Sequence, residues 1–187
     1  MPRMMRSSAR KATQRKTGRS SASRARQPDA IQLLKDDHRK VGAMFDRYER
    51  TRGDEPKERL ARTICEELRV HAKVEEEIFY PAVREAIKDD DLMNEAQVEH
   101  ASAKDLIGQI EGSSPSEENY DALVKVLGEY IKHHVKEEES DMFKQARQSK
   151  LDLAELGERM SQRKRELTGG KEPKGALRSL LSTATGR

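Results

Sequence analysis

The stretch His71-Ala72-Lys73-Val74-Glu75-Glu76-Glu77-Ile78-Phe79-Tyr80 aligns without gaps on His134-Val135-Lys136-Glu137-Glu138-Glu139-Ser140-Asp141-Met142-Phe143, 63 residues later. Each copy opens with His-x-x-x-Glu, and residues four apart on a helix stack on one face about 5 to 6 Å apart. The face in question is apolar: His71 follows Ile64 by seven residues and Leu68 by three, and His134 follows Leu127 and Ile131 at the same intervals. His133 is offset by one residue, about 100° toward the flank, so it is read as exposed or as a supporting group. An inward Glu is costly unless it is paired or bound to metal.

Working outward, Asp37-His38 recurs as Glu99-His100, 62 residues on. Four segments have apolar residues at helical spacing, over about 30–50, 57–87, 92–111 and 117–148, and nothing alternates with strand period. Each segment carries one inward histidine. Gly53-Asp54-Glu55-Pro56, Asp89-Asp90-Asp91 and Gly112-Ser113-Ser114-Pro115-Ser116 separate them. Short links between long amphipathic helices predict an all-α, up-down-up-down antiparallel four-helix bundle. In it His38, His71, Glu75, His100, His134 and Glu138 converge. A single zinc site uses about four ligands. Four His and two Glu suit two metals, each with two His and both carboxylates bridging, and mixed imidazole and carboxylate ligation with open positions favours iron over manganese or zinc.

The ordered set His38, His71-x-x-x-Glu75, His100, His134-x-x-x-Glu138 resembles the hemerythrin-like, or HHE cation-binding, family, over about residues 30–146. The resemblance implies a four-helix bundle holding two iron ions with a bridging oxygen species, ligated by the six residues just named, with Glu139, five residues after His134, as the alternative carboxylate of the fourth helix. It also implies binding of, or response to, O2, NO or peroxide, in sensing, scavenging or iron and oxygen handling. The oxygen-carrying hemerythrins have a second His four residues after the one on the third helix. Lys104 stands there in this chain, which favours the broader bacterial type over reversible oxygen storage. A ferritin-like carboxylate oxidase needs Glu-x-x-His on two helices. The residues three before the five histidines are Lys35, Leu68, Gln97, Tyr130 and Ile131, so that class is excluded. No residue is singled out as catalytic. Glu76, Glu77, Glu137 and Glu139 read as a solvated face from which one carboxylate can bond a ligand imidazole. Cys65 and Tyr130 read as core filling, and Pro81 is expected to kink the second helix just beyond Glu75.

The remaining sequence sets the organisation. Of 187 residues, 38% are charged and 34% hydrophobic, and Trp is absent. No stretch approaches the roughly 20 apolar residues of a membrane span. The N-terminus has no apolar run of the secretory kind, and a single Cys forms no intrachain disulfide, so a cytoplasmic protein is expected. Residues 1–28 hold nine Arg or Lys and no acid, whereas 29–149 hold 19 basic and 29 acidic residues. This predicts a disordered basic tail at 1–28, a bundle domain at 29–149, and a polar helical extension with a flexible end at 150–187. The alternative function class is a nucleic-acid or polyanion binder that uses the basic tail, with the metal bundle as regulator.

Overall fold

A computed structural model describes residues 28–170. The expected disordered tail before that range and flexible end after it lie outside the described residues. Within the range the elements are α1 (Ala30–Arg50), α2 (Asp54–Val74), a π-turn (Glu75–Phe79), α3 (Tyr80–Ile87), α4 (Asp90–Gly112), α5 (Tyr120–Glu137), a second π-turn (Glu138–Met142), α6 (Phe143–Gln148) and α7 (Leu153–Leu167). The described residues contain no strand.

Local chemistry explains the boundaries. The Asp29 side chain caps α1 by accepting from the Gln32 N–H at 2.8 Å, Asp89 accepts from Leu92 N–H at 3.2 Å, and Asp152 caps α7 through the Ala154 and Glu155 N–H groups. The second helix starts at Asp54, three residues before the expected point. Pro56 sits in its first turn, where a missing N–H leaves no intrahelical bond unmade. Gly53, at φ 83°, makes the sharp entrance. The fourth starts at Tyr120 rather than near 117, because residues after Gly112 form successive turns.

Helices α2 and α3 continue one another through the first π-turn, and α5 and α6 through the second. In each turn an amide bonds back five residues: Tyr80 to the Glu75 carbonyl, Phe143 to that of Glu138. Pro81 is not the common cause, since Lys144 holds the matching place in the second copy. What the two turns share is an inward Glu as first residue. The extra residue per turn carries Phe79 into the core at 0% exposure, while Ile78 is only half-buried.

Cross-helix contacts run in opposite senses along neighbouring helices. Lys35 meets Glu139 at one end of the α1–α5 pair and Tyr48 meets Asp121 at the other. Between α2–α3 and α4, Arg69 pairs with Glu111, Tyr80 with His100, and Arg84 with Asp90. The apolar core is split in two. One cluster contains Ile31, Leu34, Phe79, Met93, Met142 and Phe143, and the other Val41, Ile64, Leu68, Ile107, Tyr120 and Leu127. At roughly 1.5–3 kcal/mol for each large apolar side chain buried, these clusters supply the main drive for assembly. On every helix the histidine falls between the two clusters in sequence, so a polar layer is held between apolar plugs. The polar-looking extension docks: α7 buries Leu156, Gly157 and Met160 against α1 and α2. A Cβ on Gly157 would lie 2.6 Å from the Pro28 carbonyl oxygen, so only glycine permits that approach.

Candidate metal centre

The structure brings all six expected residues into the central layer. His38, His71, His100 and His134 are 4–9% exposed, Glu138 is 2% exposed and Glu75 is fully enclosed. His71 Nε2 lies 3.2 Å and His100 Nε2 3.5 Å from the same Glu75 oxygen, so Glu75 sits between the two halves of the repeat. His38 Nε2 lies 3.3 Å from Glu138. Ligand atoms of His38, His71 and Glu75 fall within 4.8 Å of one another, as do those of Glu75, His100 and His134. Glu139, the alternative carboxylate, does not enter the layer; it is 30% exposed and faces the other side of His38.

Each imidazole turns its Nδ1 outward to a carboxylate. His38 donates to Glu139 at 2.9 Å, His100 to Glu76 at 2.9 Å and His134 to Glu99 at 2.6 Å, while His71 Nδ1 stands 3.6 Å from Asp37. For His38, His100 and His134 such partners fix the tautomer and aim Nε2 toward the centre. The outer shell repeats with the ligands, as Asp37 and Glu99 serve His71 and His134, and Glu76 and Glu139 serve His100 and His38. Lysines close two of these chains: Lys35 binds Glu139 at 2.8 Å, and Lys104 binds both oxygens of Glu76 at 2.6 Å. Lys104 thus supports His100 from outside. Glu76 and Glu139 bond imidazoles rather than forming only a solvated face, whereas Glu77 pairs with Arg163 and Glu137 with His133.

Tyr80 was not flagged by its residue type. Its hydroxyl donates to His100 Nε2 at 3.0 Å, and its counterpart Phe143 stacks parallel to His38 with centroids 5.9 Å apart. One phenol therefore breaks the symmetry of the layer. The repeat alignment, which sets Tyr80 opposite Phe143, carried that signal. Tyr130 and Cys65 pack in the core, and burial pushes the Cys65 thiol up to about 11.

The donor set calls for cations. Among the described residues, the buried side-chain atoms that lack a hydrogen-bond partner are His38 Nε2, His71 Nδ1 and both oxygens of Glu75 and of Glu138. All belong to the six. His100 Nε2 and His134 Nε2 face each other at 3.3 Å, a repulsive contact between lone pairs unless a proton or metal lies there. Burial favours neutral Glu75, but the imidazoles of His71, His100 and His38 outweigh it and hold the carboxyl well below its ordinary range. Burial likewise opposes charge on His71, yet the Glu75 and Asp37 carboxylates prevail and push it up to about 10. Burial raises the Tyr80 phenol well above 10, helped by Glu138 and Glu75.

The model of the hemerythrin HHE cation binding domain matches residues 29–146. The chain belongs to this family. A crystal structure of a hemerythrin HHE cation binding domain-containing protein from Mycobacterium kansasii superposes with a TM-score of 0.67 at 25% identity, covering 76% of this chain and 88% of that one. A protein of Nostoc sp. named DNA nickase is 31% identical over 111 residues, 59% of this chain and 31% of the relative, so the chain spans about a third of that relative. The family is a cation-binding one, and the two buried His/Glu clusters of this layer could each hold a metal ion. No helix among the described residues is long and apolar enough to cross a membrane.

Proposed function

We propose that this HHE protein folds as an up-down-up-down bundle, holds two iron ions through His38, His71, Glu75, His100, His134 and Glu138, and binds or responds to O2, NO or peroxide. The carrying observation is the inward convergence of four Nε2 atoms on two buried carboxylates whose oxygens have no other partner. Opposed helix directions in the cross-contacts support the topology. Iron supplies one-electron chemistry and open coordination positions when bound. The chain's own residues do the rest. Glu139, Asp37, Glu76 and Glu99 orient the imidazoles, Tyr80 offers a hydroxyl proton beside His100, and the apolar plugs exclude bulk water.

A cavity of about 30 Å³ adjoins the four histidines and is walled by Val41, Leu68, Ala103, Ile107 and Ile131. Space for about one or two small molecules suits a diatomic or peroxide rather than an organic substrate. The test is to expose the iron-loaded, reduced chain to O2, NO and peroxide in turn while recording visible spectra. At least one should change the spectrum, and Ala103→Leu, which fills the cavity, should slow that change with iron content retained. A spectrum indifferent to all three would overturn the reading.

The name of the Nostoc relative, together with nine basic residues and no acid in 1–28, favours a second reading, electrostatic contact with nucleic acid through that segment. DNA binding that weakens steeply with salt and disappears on deleting residues 1–27 would establish it; binding unaffected by the deletion would remove it.

A further inference from the structure

The internal repeat makes the two sides of the metal layer comparable, and they are not treated alike. On one side α7 covers the groove between α1 and α2. It packs Leu156 and Met160 with Ala30, Leu33 and Val74, and sets Lys164 on Asp37 and Arg163 on Glu77 at 2.6 Å. The counterparts of Ala30, Leu33, Asp37, Val70 and Val74 are Leu92, Glu95, Glu99, His133 and Glu137. No α7 equivalent lies on them among the described residues. Leu33, Val70 and Val74 of the closed side are thus replaced by two carboxylates and an imidazole on the open one, and the carboxylate of Asp37, paired with Lys164, by that of Glu99 with no Lys or Arg on it among the described residues.

We propose that this α4–α5 face is the port by which a divalent cation reaches the centre, first held by Glu99, His133 and Glu137. His133 Nε2 lies 3.2 Å from Glu137 Oε1 and 3.9 Å from Glu99 Oε1, and the ligand atoms of the three fall within 4.8 Å of one another. His133 is 60% exposed and Glu99 10%, so the group reaches from solvent to the edge of the layer. Behind it a cavity of about 10 Å³, lined by Glu95, Glu99, His134, Glu137 and Glu138, has room for about one water or one stripped ion. Glu138 lines that cavity while 2% exposed, with neither oxygen hydrogen-bonded. Glu99 links the stages: one oxygen faces His133, and the other accepts from His134 at 2.6 Å. A cation gathered outside thus meets a continuous line of carboxylates leading inward, whereas Lys164 and Arg163 repel it on the other side.

This inference rests on the proposed metal centre, and its test separates the two. Cobalt(II) chloride is mixed with metal-free full-length chain in a stopped-flow instrument, and both the rate and the final metal content are measured. The double variant His133→Ala/Glu137→Gln should reach the wild-type content and spectrum about tenfold or more slowly, the scale on which local fields focus ions. The charge-matched Glu118→Gln, on the distant loop, should fill at the wild-type rate, and Glu95→Lys should slow filling as the double variant does. Equal rates for wild type and double variant would overturn the port alone. A lower final content in the double variant would make the pair resident ligands and also overturn it. Wild type that takes up no cobalt would sink the metal centre itself.

Discussion

Metal binding to this HHE layer should expel protons, and the structure says how strongly. In the metal-free chain His71 is pushed up to about 10 by Glu75 and Asp37 against its burial, so at pH 7 it keeps its proton. Freeing the imidazole three pH units below that value costs about 4 kcal/mol at roughly 1.4 kcal/mol per unit. Metal must supply that energy. Apparent affinity for zinc or cobalt should rise about tenfold per pH unit for the displaced His71 proton at pH values below about 10, and level off above it. Calorimetry at pH 7 in two buffers of different ionisation enthalpy counts the protons, and at least one per chain should be released. Asp37→Asn removes one cause of the raised His71 and should reduce the release. No proton release, or affinity that falls as pH rises, would refute the reasoning. The same pair sets metal-free stability. A raised His contributes fully below its unfolded value of 6.5 and loses that contribution as pH climbs through about 10; a lowered Glu contributes above 4.5 and loses it as pH falls toward its folded value. The metal-free melting temperature should therefore decline from pH 6.5 to 10, more than that of the loaded chain.

Three further outcomes are expected. His71→Ala and His134→Ala should each lose metal while His133→Ala keeps its full final content, checked by metal analysis; equal loss in the His133 and His134 variants would show that the inward face is misassigned. Removing metal should quicken hydrogen exchange most between residues 68–79 and 131–142, the stretches that carry His-x-x-x-Glu and the π-turns, and lower the melting temperature. Gly157→Ala should destabilise the docking of α7 by about 1–3 kcal/mol, because its Cβ would overlap the Pro28–Ala30 backbone; an unchanged denaturation midpoint would contradict it.

Much of the site was legible because it is repeated. Periodicity at Leu34, His38 and Val41 or at Ile64, Leu68 and His71 marks helices directly, and the 62- and 63-residue offsets identify the six inward residues. The π-turns were not legible. Nothing in Glu75–Phe79 or Glu138–Met142 breaks helical spacing, and Pro81, the visible anomaly, occurs in only one of the two. That hidden extra residue is why Phe79, and less so Ile78, faces the core. Glu76 and Glu139 looked like solvated charges because each is partly exposed, yet they hold His100 and His38. Their matching places in the repeat were the available clue. The polar composition of α7 hides its docking, since only Leu156, Gly157 and Met160 of this helix are buried.

The most direct test is the iron content of the full chain purified after iron-replete expression, with its near-ultraviolet spectrum. Six inward donors on four helices exceed what one ion uses, so the account predicts two iron atoms per chain with ferric charge-transfer absorption. A clean stoichiometry of one zinc per chain, without that absorption, would contradict it.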